Sequence, residues 1–86
     1  MIEKIVVQDP LGIHARPAAA LAQALAPLKV RVQVRYGSRS ADPRSVIQLL
    51  GLGAPAGSEL LVELEGEEEE IHKALAAFQE HLGKHA

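Results

Sequence analysis

The sequence predicts an α+β fold with the element order βαββαβα, and three observations carry that expectation. Val30, Val32, Val34 and Tyr36 alternate with Arg31, Gln33 and Arg35, and Leu60, Val62 and Leu64 alternate with Leu61 and Glu63; both are the period of half-buried strands. The run from Arg16 to Ala26 consists mostly of strong helix formers. Ile71, Leu75, Phe78 and Leu82 recur at offsets of four, seven and eleven residues and make one apolar stripe on a last helix.

The elements follow in order. Ile2 to Gln8 is rich in β-branched residues and reads as a first strand whose inward face the pattern leaves open. Asp9-Pro10 signals a turn, and Gly12 can take the unusual φ a tight turn needs. Pro17 suits the first turn of a helix, where its missing N–H would be unpaired anyway. It disfavours α geometry at Arg16, which marks Arg16 as a boundary, and Pro27 stops the helix. Gly37-Ser38 turns the second strand into a short third one over Arg39 to Ala41. Asp42-Pro43 breaks the pattern before a short helix from Val46 to about Leu52, with Ser45 as its N-cap. Gly51, Gly53, Pro55 and Gly57 mark a loop, and Gly66 ends the fourth strand.

Glu67 to Glu70 fall at the positive end of the last helix, Lys84 falls near its negative end, and Gly83 reads as a stop signal. Arg31 and Arg35 on one strand and Glu63 and Glu65 on another favour setting those two strands side by side. Helices on one face of a four-stranded antiparallel sheet would bury the inward valines and leucines.

Composition narrows the function classes. A chain of 86 residues is expected to be one domain over 1–86. With 48% hydrophobic residues it can build a core, and with only Tyr36 and Phe78 aromatic that core is aliphatic. The absence of cysteine excludes disulfides and thiolate zinc sites and fits a reducing compartment. A net charge of −2 gives no support for nucleic-acid binding. Met1-Ile2-Glu3-Lys4 does not open a signal peptide, and no apolar run approaches a membrane span, so the expected site of action is the cytoplasm.

The segment Gly12-Ile13-His14-Ala15-Arg16-Pro17 carries the chemistry. It sets an imidazole, a guanidinium and a helix N-terminus within a few residues of one another. An imidazole can take up a phosphoryl group, and a guanidinium with free backbone N–H groups can hold its charge. His14 is therefore the candidate phosphoryl acceptor, Arg16 the candidate phosphate clamp, and Pro17 the residue that fixes the helix start. Of the other histidines, His72 falls on a charged helix. His81 and His85 are four apart and could share a helix face, but no acidic or thiolate partner stands at matching spacing, so no metal site is expected.

With this motif, and with Arg44-Ser45-Val46-Ile47-Gln48-Leu49-Leu50-Gly51-Leu52-Gly53 further on, the whole chain resembles the histidine-containing phosphocarrier (HPr) family of the bacterial phosphoenolpyruvate-dependent sugar phosphotransferase system. The resemblance implies an open-faced β-sandwich of four antiparallel strands in the order 1-4-2-3 with three helices on one face. It implies that enzyme I passes a phosphoryl group to Nδ1 of His14, and that His14 passes it to a histidine of a sugar-specific enzyme IIA. The amides of Ala15 and Arg16 are candidate donors to the phosphate. No metal or organic cofactor is implied, and the protein would be a stoichiometric carrier, expected to be monomeric, rather than an enzyme.

The family also contains members phosphorylated by a kinase at the serine that matches Ser45. A serine kinase or phosphorylase and regulatory proteins are thus further expected partners. Val46, Ile47, Leu49, Leu50 and Leu52 cannot all face the core from so short a helix, so Ile47 and Leu50 are expected to be exposed, forming with Val46 and Gln48 a partner-binding patch. Leu11 departs from the small polar residue that family members often carry before the glycine. Alternatives are a paralogous carrier in a nitrogen-related or dihydroxyacetone-kinase phosphorelay, and a regulatory protein-binding module; the intact His14 argues against the latter, and Ser45 favours the sugar system over the paralogue.

Overall fold

The computed structural model describes residues 1–85, with His85 described by its backbone only. The chain runs β1 (Ile2–Val7), α1 (Ala15–Leu25), β2 (Val30–Tyr36), β3 (Arg39–Ala41), α2 (Val46–Gly51), β4 (Glu59–Gly66), α3 (Glu68–His81) and β5 (Gly83–His85). All strand pairs are antiparallel, in the order β3-β2-β4-β1-β5. The expected order of four strands is present, and a fifth strand extends it along the free edge of β1.

That fifth strand corrects the reading of the C-terminus. Lys84 stands opposite Val6, and His85 opposite Ile5, so neither continues α3; His81 and His85 share no helix face. Gly83 is not a left-handed stop. A Cβ there would collide with the Val6 carbonyl oxygen, so glycine is what lets β5 approach β1. Three residues without a branched apolar side chain carry no strand signal; the vacant edge of β1 recruits them.

Register accounts for the amphipathic strands. Val34 faces Val62 and Val32 faces Leu64 across β2 and β4, while Arg31 stands opposite Glu65. On the same outer face the Arg35 Nε meets the Glu63 carboxylate at 2.6 Å, which is the charge pairing expected of these strands. Ile5 and Val7 settle the inward face of β1. They join Leu60, Val62, Leu21, Leu25, Leu49 and Phe78 in one cluster filled from a single sheet face and all three helices. Glu70 adds a tie that the acidic run alone did not reveal: its Oε1 accepts the Lys29 backbone N–H at 2.8 Å, joining the first turn of α3 to the approach to β2. That bond, with the Lys73 ammonium 3.5 Å away, holds the Glu70 carboxyl below its ordinary range.

Candidate functional site

The loop from β1 to α1 is held on both flanks. Its start is fixed by Gln8 N–H to the Leu82 carbonyl at 3.1 Å, and by Val7, which exchanges backbone bonds with Gly57 and Ser58. Its middle is a turn in which the Gly12 N–H reaches the Asp9 carbonyl at 2.8 Å and the Leu11 N–H reaches Asp9 Oδ1 at 2.9 Å. Its end is pinned by Ile13 N–H to the Ala54 carbonyl at 3.2 Å. Gly12 sits at φ +75°, and a Cβ there would lie 2.7 Å from that same Ala54 oxygen. Only glycine satisfies both the left-handed backbone and the close approach.

His14 leaves this loop as the N-cap of α1, with extended φ −130° and ψ 175°, and its side chain makes no capping bond to the helix. Its carbonyl accepts the Ala18 N–H at 3.1 Å, so α1 begins at Ala15, one residue before the expected start at about Arg16. Arg16 is a helical residue rather than a boundary, and Pro17 occupies the third helical position. Ala15 and Arg16 lie in the first turn, where the helix itself supplies no acceptor for their N–H groups. Arg16 is exposed and, among the described residues, makes no hydrogen bond or ion pair, so its guanidinium is unencumbered.

The ring of His14 has a partner that the sequence reading did not single out. Nε2 lies 2.8 Å from Asp9 Oδ2, with both side chains about one-third exposed. The Leu11 N–H and the His14 contact hold the Asp9 carboxyl below its usual range. A carboxylate five residues before a histidine, across a turn marked by proline and glycine, was the signal available.

The second motif builds the short helix α2. Ser45 is its N-cap, its Oγ accepting the Gln48 N–H at 3.2 Å. Gln48 is exposed, and its Oε1 accepts the Asp42 N–H at 2.8 Å, which secures the turn before the helix and leaves the side-chain NH2 facing outward from that bond. Arg44 reaches the Leu28 and Val30 carbonyls at 2.8 and 3.0 Å and ties that turn to β2. Leu49 and Leu52 are buried, Val46 is half-buried, and Ile47 and Leu50 are 82% and 39% exposed, dividing the apolar residues as a six-residue helix must. Leu11, within the His14 loop, is 76% exposed. The segment after α2 carries Ala54, the acceptor for Ile13, so the two motifs meet there.

Comparison with known proteins decides the family. A family model described as the PTS HPr component phosphorylation site matches residues 2–82. This chain belongs to the HPr phosphocarrier family. It is 35% identical over 82 residues to the phosphocarrier protein HPr of Lysinibacillus sphaericus, covering 94% of this chain and 93% of that one. It is 34% identical over 80 residues to the phosphoryl donor subunit of a PEP-dependent dihydroxyacetone kinase from Providencia stuartii, covering 93% of this chain but 16% of that larger protein. The solved structure of a Mycoplasma histidine-containing phosphocarrier protein superposes with a TM-score of 0.85 over 98% of this chain and 99% of that one; at 17% identity it speaks for the fold.

An HPr protein accepts a phosphoryl group on histidine from enzyme I and gives it to enzyme IIA, and is a carrier rather than a catalyst. The geometry suits a carrier: His14 is half-buried rather than enclosed. The depression of about 610 Å³ among Arg31, Gln33, Asp42, Glu63 and Glu65 does not include it. Among the described residues no cluster of histidine and acidic side chains could hold a metal ion, and no helix is long and apolar enough to cross a membrane.

Proposed function

We propose that His14 is the residue on which this HPr protein carries its phosphoryl group, with Arg16 and the amides of Ala15 and Arg16 as the groups that hold the transferring phosphate. One observation carries the reading: His14 caps α1 without spending its imidazole on the helix, so the ring stands at the helix start, next in sequence to the first-turn amides and to the exposed Arg16. The positive end of α1 and Arg16 both favour the dianion. Transfer between two such groups needs in-line geometry and charge neutralisation more than acid–base work.

Leu11, Ile47 and Leu50 are the exposed apolar side chains that would seat the partner proteins, enzyme I and enzyme IIA, in the cytoplasm. Ser45 is the second modification point in this reading. Phosphate there would sit on the start of α2, where it is electrostatically tolerated, and would put negative charge beside Ile47.

The likeness to a dihydroxyacetone-kinase donor subunit supports one competing reading, the same chemistry in a different relay. The two readings separate by acceptor. Charged from phosphoenolpyruvate through enzyme I, the chain is expected to pass its label to a sugar-specific enzyme IIA; transfer only to dihydroxyacetone-kinase subunits would assign it to the paralogous relay.

A further inference from the structure

We infer that Asp9 is a positioning residue for phosphoryl transfer: it holds the His14 ring with Nε2–H turned to its carboxylate and the Nδ1 lone pair presented to the incoming phosphorus. The inference rests on His14 being the acceptor and goes beyond it by naming the group that decides which ring nitrogen reacts.

The argument begins with the carboxylate. Asp9 Oδ2 is 2.8 Å from His14 Nε2, and Oδ1 is engaged by the Leu11 N–H at 2.9 Å. An ionised carboxylate has no proton to give and can only accept. The proton in the Asp9–His14 bond therefore belongs to Nε2. A neutral imidazole carries one N–H, so its lone pair is then on Nδ1. The carboxyl group is itself immobilised: the Leu11 N–H holds one oxygen, and the turn closed by Gly12 N–H to the Asp9 carbonyl at 2.8 Å holds its backbone. Pro10 stiffens the segment between them.

The step balances as follows. The Nδ1 lone pair forms the bond to phosphorus, while the donor's bond to phosphorus breaks and its electron pair stays on the donor atom. The Nε2 proton does not move. The ring becomes positively charged as the Nδ1–P bond forms, and that charge develops 2.8 Å from Asp9. A fixed anion on the far side of the ring from the reacting atom stabilises the product without entering the phosphate site.

Two variants separate this role from simple support of the loop. Asp9→Ala removes both the ring contact and the turn. Asp9→Asn can keep the turn, its carbonyl oxygen still accepting from Leu11, but it then turns an NH2 donor toward Nε2 and favours the opposite tautomer. The His14 ring nitrogens are followed by long-range ¹H–¹⁵N correlation at about pH 8.5, above the ordinary histidine range. Phosphoryl acceptance from enzyme I is timed in parallel.

The wild type is expected to show the Nε2–H tautomer with a hydrogen-bonded, slowly exchanging ring proton. Asp9→Asn is expected to keep its Leu11 amide shift, gain Nδ1–H population and accept phosphate about tenfold more slowly, the order expected when a charged hydrogen-bond partner is replaced by a neutral one. Wild-type acceptance rates in Asp9→Asn, or a wild-type ring with its lone pair on Nε2, overturn the inference. So does a loss in both variants that merely follows their thermal stability while the ring tautomer stays unchanged. Failure of the wild type to form phosphohistidine would instead remove the carrier reading.

Discussion

Replacing Gly12 by alanine tests whether the His14 loop is built as described. The backbone there has φ +75°, a conformation that costs an L-residue roughly 1–2 kcal/mol. The new Cβ would stand 2.7 Å from the Ala54 carbonyl oxygen and 3.0 Å from the Pro55 Cα, both backbone atoms that cannot rotate away. Relief requires the two loops to separate, which gives up the 3.2 Å bond from Ile13 N–H to that same oxygen, a further 0.5–1.5 kcal/mol or so. The total is about 1.5–3.5 kcal/mol. For a domain of this size that lowers the melting temperature by roughly 6–28 °C. Calorimetric melting and urea unfolding measure it, and because Asp9 and His14 flank the displaced turn, phosphoryl acceptance should fall as well. A Gly12→Ala protein within about 0.5 kcal/mol of wild type, the range of an inert surface change, would refute the close packing of residues 9–14 on residues 54–56.

Arg16→Ala should melt within about 0.5 kcal/mol of wild type yet accept phosphate roughly ten- to a hundredfold more slowly, since among the described residues the guanidinium has no hydrogen-bond or ion-pair partner to lose; a large drop in stability with transfer retained would make Arg16 structural. Ser45→Ala should lose about 1 kcal/mol of stability by urea unfolding and keep its affinity for enzyme I, whereas Ser45→Asp should keep the cap and bind enzyme I more weakly by calorimetry. Equal affinity of the Asp variant and the wild type would take Ser45 out of the docking surface. Asp9 and Glu70 both have folded-state pKa values below their ordinary ones. Their contribution to stability is thus present above the unfolded carboxylate range and is lost as pH falls through the lower folded values. Melting temperature should hold from pH 7 to about 5 and decline below that, and Glu70→Gln should shrink the decline; an unchanged acid profile in that variant would show that the Lys29 contact does not survive in solution.

Much of the fold was legible because periodicity and charge are local. The alternation in Val30–Tyr36, the stripe through Phe78 and the opposed charges of Arg31, Arg35, Glu63 and Glu65 are enough to set elements and one pairing. The exposed positions of Ile47 and Leu50 followed from the shortness of α2. What escaped depended on contacts distant in sequence or on side-chain geometry. β5 exists because β1 leaves an edge open and Gly83 lets a backbone reach it, neither of which residues 83–85 announce. The bond from the Asp42 N–H to Gln48 Oε1 depends on a turn geometry that spacing in the sequence does not specify. Asp9 read only as part of a turn, because its second carboxylate oxygen meets His14 through a bend that spacing alone does not specify.

The most direct test of the central claim is intact-protein mass spectrometry after incubation with enzyme I and phosphoenolpyruvate, comparing the wild type with His14→Ala before and after brief acid treatment. The wild type should gain one phosphoryl group that acid removes and base does not, as for a phosphoramidate, and His14→Ala should gain none. An unchanged adduct on His14→Ala, or one that survives acid, would contradict the assignment of His14 as the carrier.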